Sequence, residues 1–107
     1  MFSNVARAHQ YIEDHYREGL TLEGIAEQCE MSASYLTILF HRHYQTSPID
    51  FLIDYRLRMA KLLLAKGLSI SQTAERTGFN SLHYFSKMFK KRLGASPSEF
   101  ARSCRLR

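Results

Sequence analysis

The chain has 107 residues, 45% of them hydrophobic, two cysteines and a net charge of +5. That is room for one compact domain, or for two very small ones that need each other to bury a core. The longest aliphatic run, Leu62 to Ala65, is far short of the ~20 residues that span a bilayer, and the polar Ser3 and Asn4 leave no secretory signal at the start. Cys29 and Cys104 stand apart, with no C-x-x-C spacing, which argues against a disulfide framework or a zinc site and for a reducing, cytoplasmic setting.

In chain order, Val5, Ala8, Ile12 and Tyr16 share one helical stripe and predict a supporting helix over 5–16. Leu22, Ile25, Ala26 and Cys29 predict a short second helix, with Thr21 as its cap and Glu23 at its positive end. After the break at Glu30-Met31-Ser32, a third helix carries Tyr35, Leu36, Leu39, Phe40 and His43 on the face expected to be buried. Two short helices joined by so short a turn read as a helix-turn-helix at about 21–43. "PIDFLIDYRLRMAKLLLAKG" predicts a long helix over 48–66 closed by Gly67, apolar on most sides in its middle. Ser69 and Gln72 form a capping box for the next short helix, Gly78 ends it, and a further helix runs to about Arg92. A final helix is expected at about 97–104. The fold class is all-α, with an N-terminal subdomain over 1–47, a linker helix over 48–66 and a C-terminal subdomain over 67–107 with its helix-turn-helix at about 69–92.

The two subdomains are copies. "LTLEGIAEQCEMS" aligns with "LSISQTAERTGFN" at an offset of 48, and "YLTILFHRHYQTSPIDF" with "YFSKMFKKRLGASPSEF" at an offset of 49. Leu20 and Leu68, Ala26 and Ala74, Tyr35 and Tyr84, Phe40 and Phe89, and Phe51 and Phe100 coincide. This is an internal duplication of one supersecondary unit. The echoed "SPIDF" and "SPSEF" are structural punctuation: Ser caps a helix, Pro takes its first position, and an acid follows three residues after Ser. Phe51 and Phe100 then turn back onto the unit behind them.

Charge divides unequally between the copies. Residues 1–53 hold three arginines against seven carboxylates, a net −4, whereas residues 54–107 hold twelve Lys or Arg against three carboxylates, a net +9. A basic half suggests a polyanionic partner.

These motifs resemble the DNA-binding domain of the AraC/XylS family of bacterial transcription regulators. The resemblance is carried by "LTLEGIAEQCEMSASYLTILF", "YRLRMAKLLL" and "SISQTAERTGFNSLHYFSKMFKKRLGASPSEF", from about Val5 to Arg102. It implies seven helices, two helix-turn-helix units joined by a long helix, and activation or repression of promoters. Three positions depart from the family pattern: Thr73 stands where Ile is usual, Phe100-Ala101-Arg102 replaces a final Tyr-Arg, and Ile38 is apolar where a basic or polar residue is common.

In a helix-turn-helix the second helix enters the major groove and its N-terminal half faces base edges. Positions outside the core stripe are the candidates for base contact: Ala33, Ser34, Thr37, Ile38 and His41, then Ser81, Leu82, His83, Ser86 and Lys87. The family's base-reading positions map onto Ser34, Thr37, Ile38, His83, Ser86 and Lys87. Lys87 can donate to guanine O6 or N7, His83 to a base or a phosphate, and Ile38 and Ala33 suit thymine methyls. Arg42, Lys90, Lys91 and Arg92 are the candidates for phosphate contact, which fixes position without reading sequence. The expectation is unequal halves, with the C-terminal unit supplying most of the electrostatic affinity.

The partners expected are double-stranded promoter DNA and RNA polymerase, with an effector only if the full-length protein has an upstream sensing domain. No cofactor, metal or membrane is expected. His41 and His43 are two apart and so face different sides of a helix, and no acid pair, phosphate loop or triad points to an enzyme. Two other readings compete: a helical protein-interaction module, favoured by the acidic first half, and a membrane-surface helix over Lys87 to Arg92. The second is opposed by Met88, Phe89 and Leu93, which the repeat assigns to the core.

Overall fold

A computed structural model describes residues 4–105. These residues form seven α-helices and no strand: α1 (Asn4–His15), α2 (Leu22–Gln28), α3 (Ala33–Tyr44), α4 (Pro48–Ala65), α5 (Ile70–Arg76), α6 (Leu82–Leu93) and α7 (Pro97–Arg105). The chain divides into two compact units between Tyr55 and Arg56, inside the unbroken α4.

In unit 1 the predicted stripes meet as one core. Val5, Ala8 and Ile12 of α1, Ile25 and Ala26 of α2, Leu36 and Phe40 of α3, and Leu52 of α4 are all buried. Ala26 is small because α2 and α3 must approach closely there, and a longer side chain would hold them apart. Cys29 is buried in the same core, and loss of solvation pushes its thiol pKa up, so it is a packed residue and a poor nucleophile. His9 is half-buried and lies against aromatic rings, with centroids 4.3 Å from Phe51 and 4.4 Å from Tyr44.

Unit 2 repeats this arrangement with Thr73 and Ala74 of α5, Phe85, Met88 and Phe89 of α6, and Phe79 between them. Thr73, the departure from the family's usual Ile, is fully buried. Its hydroxyl donates to the Ser69 carbonyl at 2.8 Å, so no polar group is left stranded. The duplication reaches further than the sequence alignment. The buried Leu57, Ala60 and Leu64 of α4 reproduce the spacing of Val5, Ala8 and Ile12 in α1. Helix α4 thus starts as the last helix of unit 1 and finishes as the supporting helix of unit 2. Lys61, on its unit 2 portion, sits over the ring of Phe100 at 5.7 Å, much as His9 sits over Phe51.

The turns are built identically from different residues. Met31 N–H donates to the Ala26 carbonyl at 3.0 Å, and Phe79 N–H to the Ala74 carbonyl at 3.0 Å, each closing a Schellman-type turn. The left-handed residue inside each turn is Glu30 (φ 58°) in unit 1 and Gly78 (φ 89°) in unit 2. The same substitution recurs where α3 and α6 end, at Gln45 (φ 57°) and Gly94 (φ 83°). A side chain in the left-handed region costs free energy that glycine avoids. Glu30→Gly is therefore expected to stabilise unit 1 by about 0.5–1 kcal/mol, raising its melting midpoint by several degrees. An unchanged or lower midpoint in a thermal melt would contradict this.

Every predicted cap with a stated partner is formed. Thr21 Oγ accepts from Gly24 N–H at 3.0 Å, and Ser69 and Gln72 close a reciprocal box at 3.1 Å in both directions. Ser47 Oγ accepts from Asp50 N–H, and Ser96 Oγ from Glu99 N–H, each at 3.1 Å. The Glu99 carboxylate in turn accepts from Ser96 N–H at 2.8 Å, and this bond to its charged form holds its pKa below the ordinary carboxylate range. A group whose pKa falls on folding stabilises above its unfolded value and loses that contribution as pH drops through the folded one. The melting midpoint should therefore decline in acid below about pH 4.3, the unfolded Glu value. Glu99→Gln should shallow that decline, and an identical acid limb in the variant would exclude Glu99 as a contributor.

Four residues read as core are not. Tyr35 is 54% exposed, its repeat partner Tyr84 is 43% exposed, and Leu93 is 40% exposed; His43 is also at the surface. The buried stripe of α3 and of α6 is narrower than the aromatic count suggested. It holds Leu36 and Phe40 in α3, and Phe85, Met88 and Phe89 in α6. Tyr35 and Tyr84, one residue before Leu36 and Phe85, are turned about 100° away from them.

Candidate nucleic-acid interface

Each unit presents the second helix of its helix-turn-helix with one polar side outward. Ser32 caps α3 by accepting from Tyr35 N–H at 3.1 Å, and Ser81 caps α6 by accepting from Tyr84 N–H at 2.9 Å. With the core stripe fixed on the opposite side, Ser34, Thr37, Ile38 and His41 fall at i, i+3, i+4 and i+7, and so on one face. His83, Ser86, Lys87 and Lys90 repeat that spacing on α6.

Among the α3 candidates, Ser34, Ile38, His41 and Arg42 are exposed, and Ala33 and Thr37 are half-buried. Ala33 also leans on the unit 1 core. Thr37 spends its hydroxyl proton on the Ala33 carbonyl at 2.9 Å, which leaves its oxygen free only to accept. Ile38 is 55% exposed and lines a shallow concavity of about 450 Å³ with Leu22, Glu23, Ala33, Ser34 and Thr37. The Glu23 carboxylate on that surface has Ser71 as its counterpart in unit 2, so unit 1 carries an extra negative charge beside its outward stripe.

Among the α6 candidates, Ser81, Leu82, His83, Lys87, Lys90 and Lys91 are exposed, while Ser86 and Arg92 are half-buried. Ser81 is occupied as the N-cap. Lys90, Lys91 and Arg92 occupy the last turn of α6, where the helix dipole favours cations. The outward side of α6 is therefore a row of donors, whereas that of α3 mixes hydroxyl, methyl and imidazole groups.

Sequence reasoning missed three residues beside these stripes. Tyr35 and Tyr84 are exposed on the recognition helices themselves. Arg56 of α4 is half-buried, with its guanidinium 5.9 Å from the Phe79 ring centroid. Burial lowers its pKa and the nearby Tyr84 raises it. The repeat did mark the tyrosine pair, but nothing in the spacing singles out Arg56.

The geometry defines a tandem helix-turn-helix protein. The chain matches a family described as a helix-turn-helix domain over residues 25–103. It is 37% identical over 106 residues to the arabinose operon regulatory protein of Escherichia coli K12, covering 97% of this chain and 36% of that protein. It is 36% identical over 97 residues to the raffinose operon transcriptional regulatory protein RafR of Pediococcus pentosaceus, covering 90% of this chain and 35% of that protein. Among solved structures, the C-terminal domain of AraT, a response regulator from Geobacillus stearothermophilus, superposes with a TM-score of 0.91 at 38% identity, covering 95% of this chain and 86% of that one. The DNA-binding domain of AdpA, a global transcriptional factor solved with a target DNA, superposes with a TM-score of 0.93 at 25% identity, covering 98% and 96%. This chain belongs to the AraC-type family of helix-turn-helix domains. It spans about a third of the length of the curated relatives it matches.

Proposed function

We propose that the chain binds duplex DNA in a sequence-specific way and regulates transcription, inserting α3 and α6 into successive major grooves of one site. The observation that carries this reading is the face of α6, where His83, Lys87 and Lys90 stand outward opposite the buried Phe85, Met88 and Phe89. Lys87 reads a guanine edge, His83 reads a base or a phosphate, and Ser34, Thr37 and Ile38 add shape and methyl contacts from α3. Arg42, Lys90, Lys91 and Arg92 hold the phosphates. The basic half, residues 54–107 with a net +9, supplies most of the electrostatic affinity, and the acidic half, residues 1–53 with a net −4, adds the shape and methyl contacts.

Relatives named as operon regulators, and the AdpA domain solved on its target DNA, support this assignment. The setting proposed is the cytoplasm, at the nucleoid, with RNA polymerase as the protein partner. An effector enters only through a sensing domain elsewhere in the full-length protein. None of the described helices is long and apolar enough to cross a membrane, and the chemistry proposed is recognition without catalysis.

Lys91 provides the test, because its role is purely electrostatic. Lys91→Ala should weaken binding to all duplexes alike and flatten the slope of log affinity against log salt by about one unit. A wild-type affinity that ignores salt would overturn DNA binding as the function. A Lys91→Ala effect confined to one sequence would overturn the phosphate role.

A further inference from the structure

Tyr35 and Tyr84 occupy the same place in the two copies, and both are exposed on a recognition helix where a core aromatic was expected. Neither hydroxyl makes a hydrogen bond among the described residues. Seven residues on, about two helical turns, stand Arg42 and Lys91 respectively, so each tyrosine heads a row that ends in a cation. This row flanks the outward stripe and does not lie within it. A helix is about 10–12 Å across and the major groove about 12 Å wide. When the central stripe faces the base edges, the flank faces the sugar-phosphate strand that borders the groove. A hydroxyl donor followed by a cation is the chemistry a phosphate row accepts.

Unit 2 adds a feature that unit 1 lacks. Phe79 lies 6.1 Å from the Tyr84 ring and 5.9 Å from the guanidinium of the half-buried Arg56, and Tyr84 is near enough to act on the Arg56 charge. A guanidinium partly stripped of water gains more from an anion than a fully hydrated one.

We propose that Tyr84 with Arg56, and Tyr35 at the equivalent place in unit 1, are DNA-backbone contacts that clamp the strand edging each groove and set the depth at which each recognition helix sits. The contact is sequence-independent and is stronger in unit 2. It rests on the reading of the chain as a DNA-binding domain.

The test uses a duplex selected from a random pool and a scrambled duplex, with anisotropy titrations at several salt concentrations. Tyr84→Phe keeps the ring and removes only the hydroxyl. It should weaken both duplexes by the same factor, about five- to tenfold, with an unchanged salt slope. Tyr35→Phe should show a smaller loss, about two- to fivefold, again equal on both duplexes. Arg56→Gln should weaken both duplexes and flatten the slope by about one unit, while Arg56→Lys keeps the slope. Replacing single phosphates by methylphosphonates should reveal one position where wild type loses affinity and Tyr84→Phe loses no more. Tyr84→Phe binding as wild type, or weakening only the selected duplex, overturns the proposal and leaves DNA binding intact. Wild type failing on both duplexes overturns the functional reading itself. A wild-type-like Tyr84→Phe on DNA that loses capture of a protein partner would reassign the tyrosines to a protein surface and overturn the backbone role.

Discussion

Phe40→Ala is expected to unfold unit 1. Phe40 is fully buried, with its ring centroid 4.8 Å from Tyr44, 5.7 Å from Phe51 and 6.1 Å from His9. It is the side chain through which α3 grips both α1 and the start of α4. Truncating a buried Phe costs about 3–5 kcal/mol, because the lost transfer energy is joined by a cavity that only partly collapses. A unit of roughly fifty residues has little stability to spare. Amide exchange in α2 and α3 should accelerate by about two to four orders of magnitude, the same free energy expressed as an opening constant. The Ser34–His41 stripe loses its orientation with it. Near-native protection of Leu36 and its neighbours in the variant would show that the aromatic cluster does not hold α3 in place.

Lys87→Ala is expected to remove discrimination at one base pair. The side chain is exposed on the outward face of α6, at the end of the N-terminal half that faces base edges. A good donor pair to guanine is worth about 1–3 kcal/mol of preference, or roughly 5- to 150-fold. In a competition among four duplexes differing at a single position, wild type should favour guanine on one strand, and the variant should bind all four within a factor of about two. Because a charge is also lost, binding to unrelated DNA should fall modestly, with a salt slope smaller by about one. A variant that keeps the guanine preference would move base reading to His83 or Ser86.

Much of this fold was legible because a duplicated sequence is its own control. Where Ala26 meets Ala74 and Phe40 meets Phe89, two independent stretches make the same demand, and both residues are buried as expected. The caps were legible for a local reason: Ser69 with Gln72, and Ser96 with Glu99, need only three residues of context. What stayed hidden depends on tertiary surroundings. The third part of the repeat, α1 against the later half of α4, shifts its offset to 52 and keeps only Ala8 and Ala60 in common, so a fixed-offset comparison passes over it. The left-handed turn residue was visible at Gly78 but not at Glu30 or Gln45, because nothing about a glutamate or a glutamine announces a positive φ. His9 carries a polar name into an aromatic pocket. Tyr35 and Tyr84 carry an apolar count to the surface, since a phenol satisfies either environment.

The outward stripes were placed from the sequence by subtraction, by asking which positions the core leaves over. Ile38 and Lys87 do stand exposed, whereas Ser81 and Thr37 already engage their polar atoms with the backbone of their own helix.

The most direct measurement is a hydroxyl-radical footprint of this chain on a duplex selected from a random pool. Two protected segments centred about 10 bp apart on one face of the DNA are expected, and the segment under α6 should fade in Lys87→Ala while the other persists. A single continuous patch, or two patches that fade together, would contradict two separate readers carried on one chain.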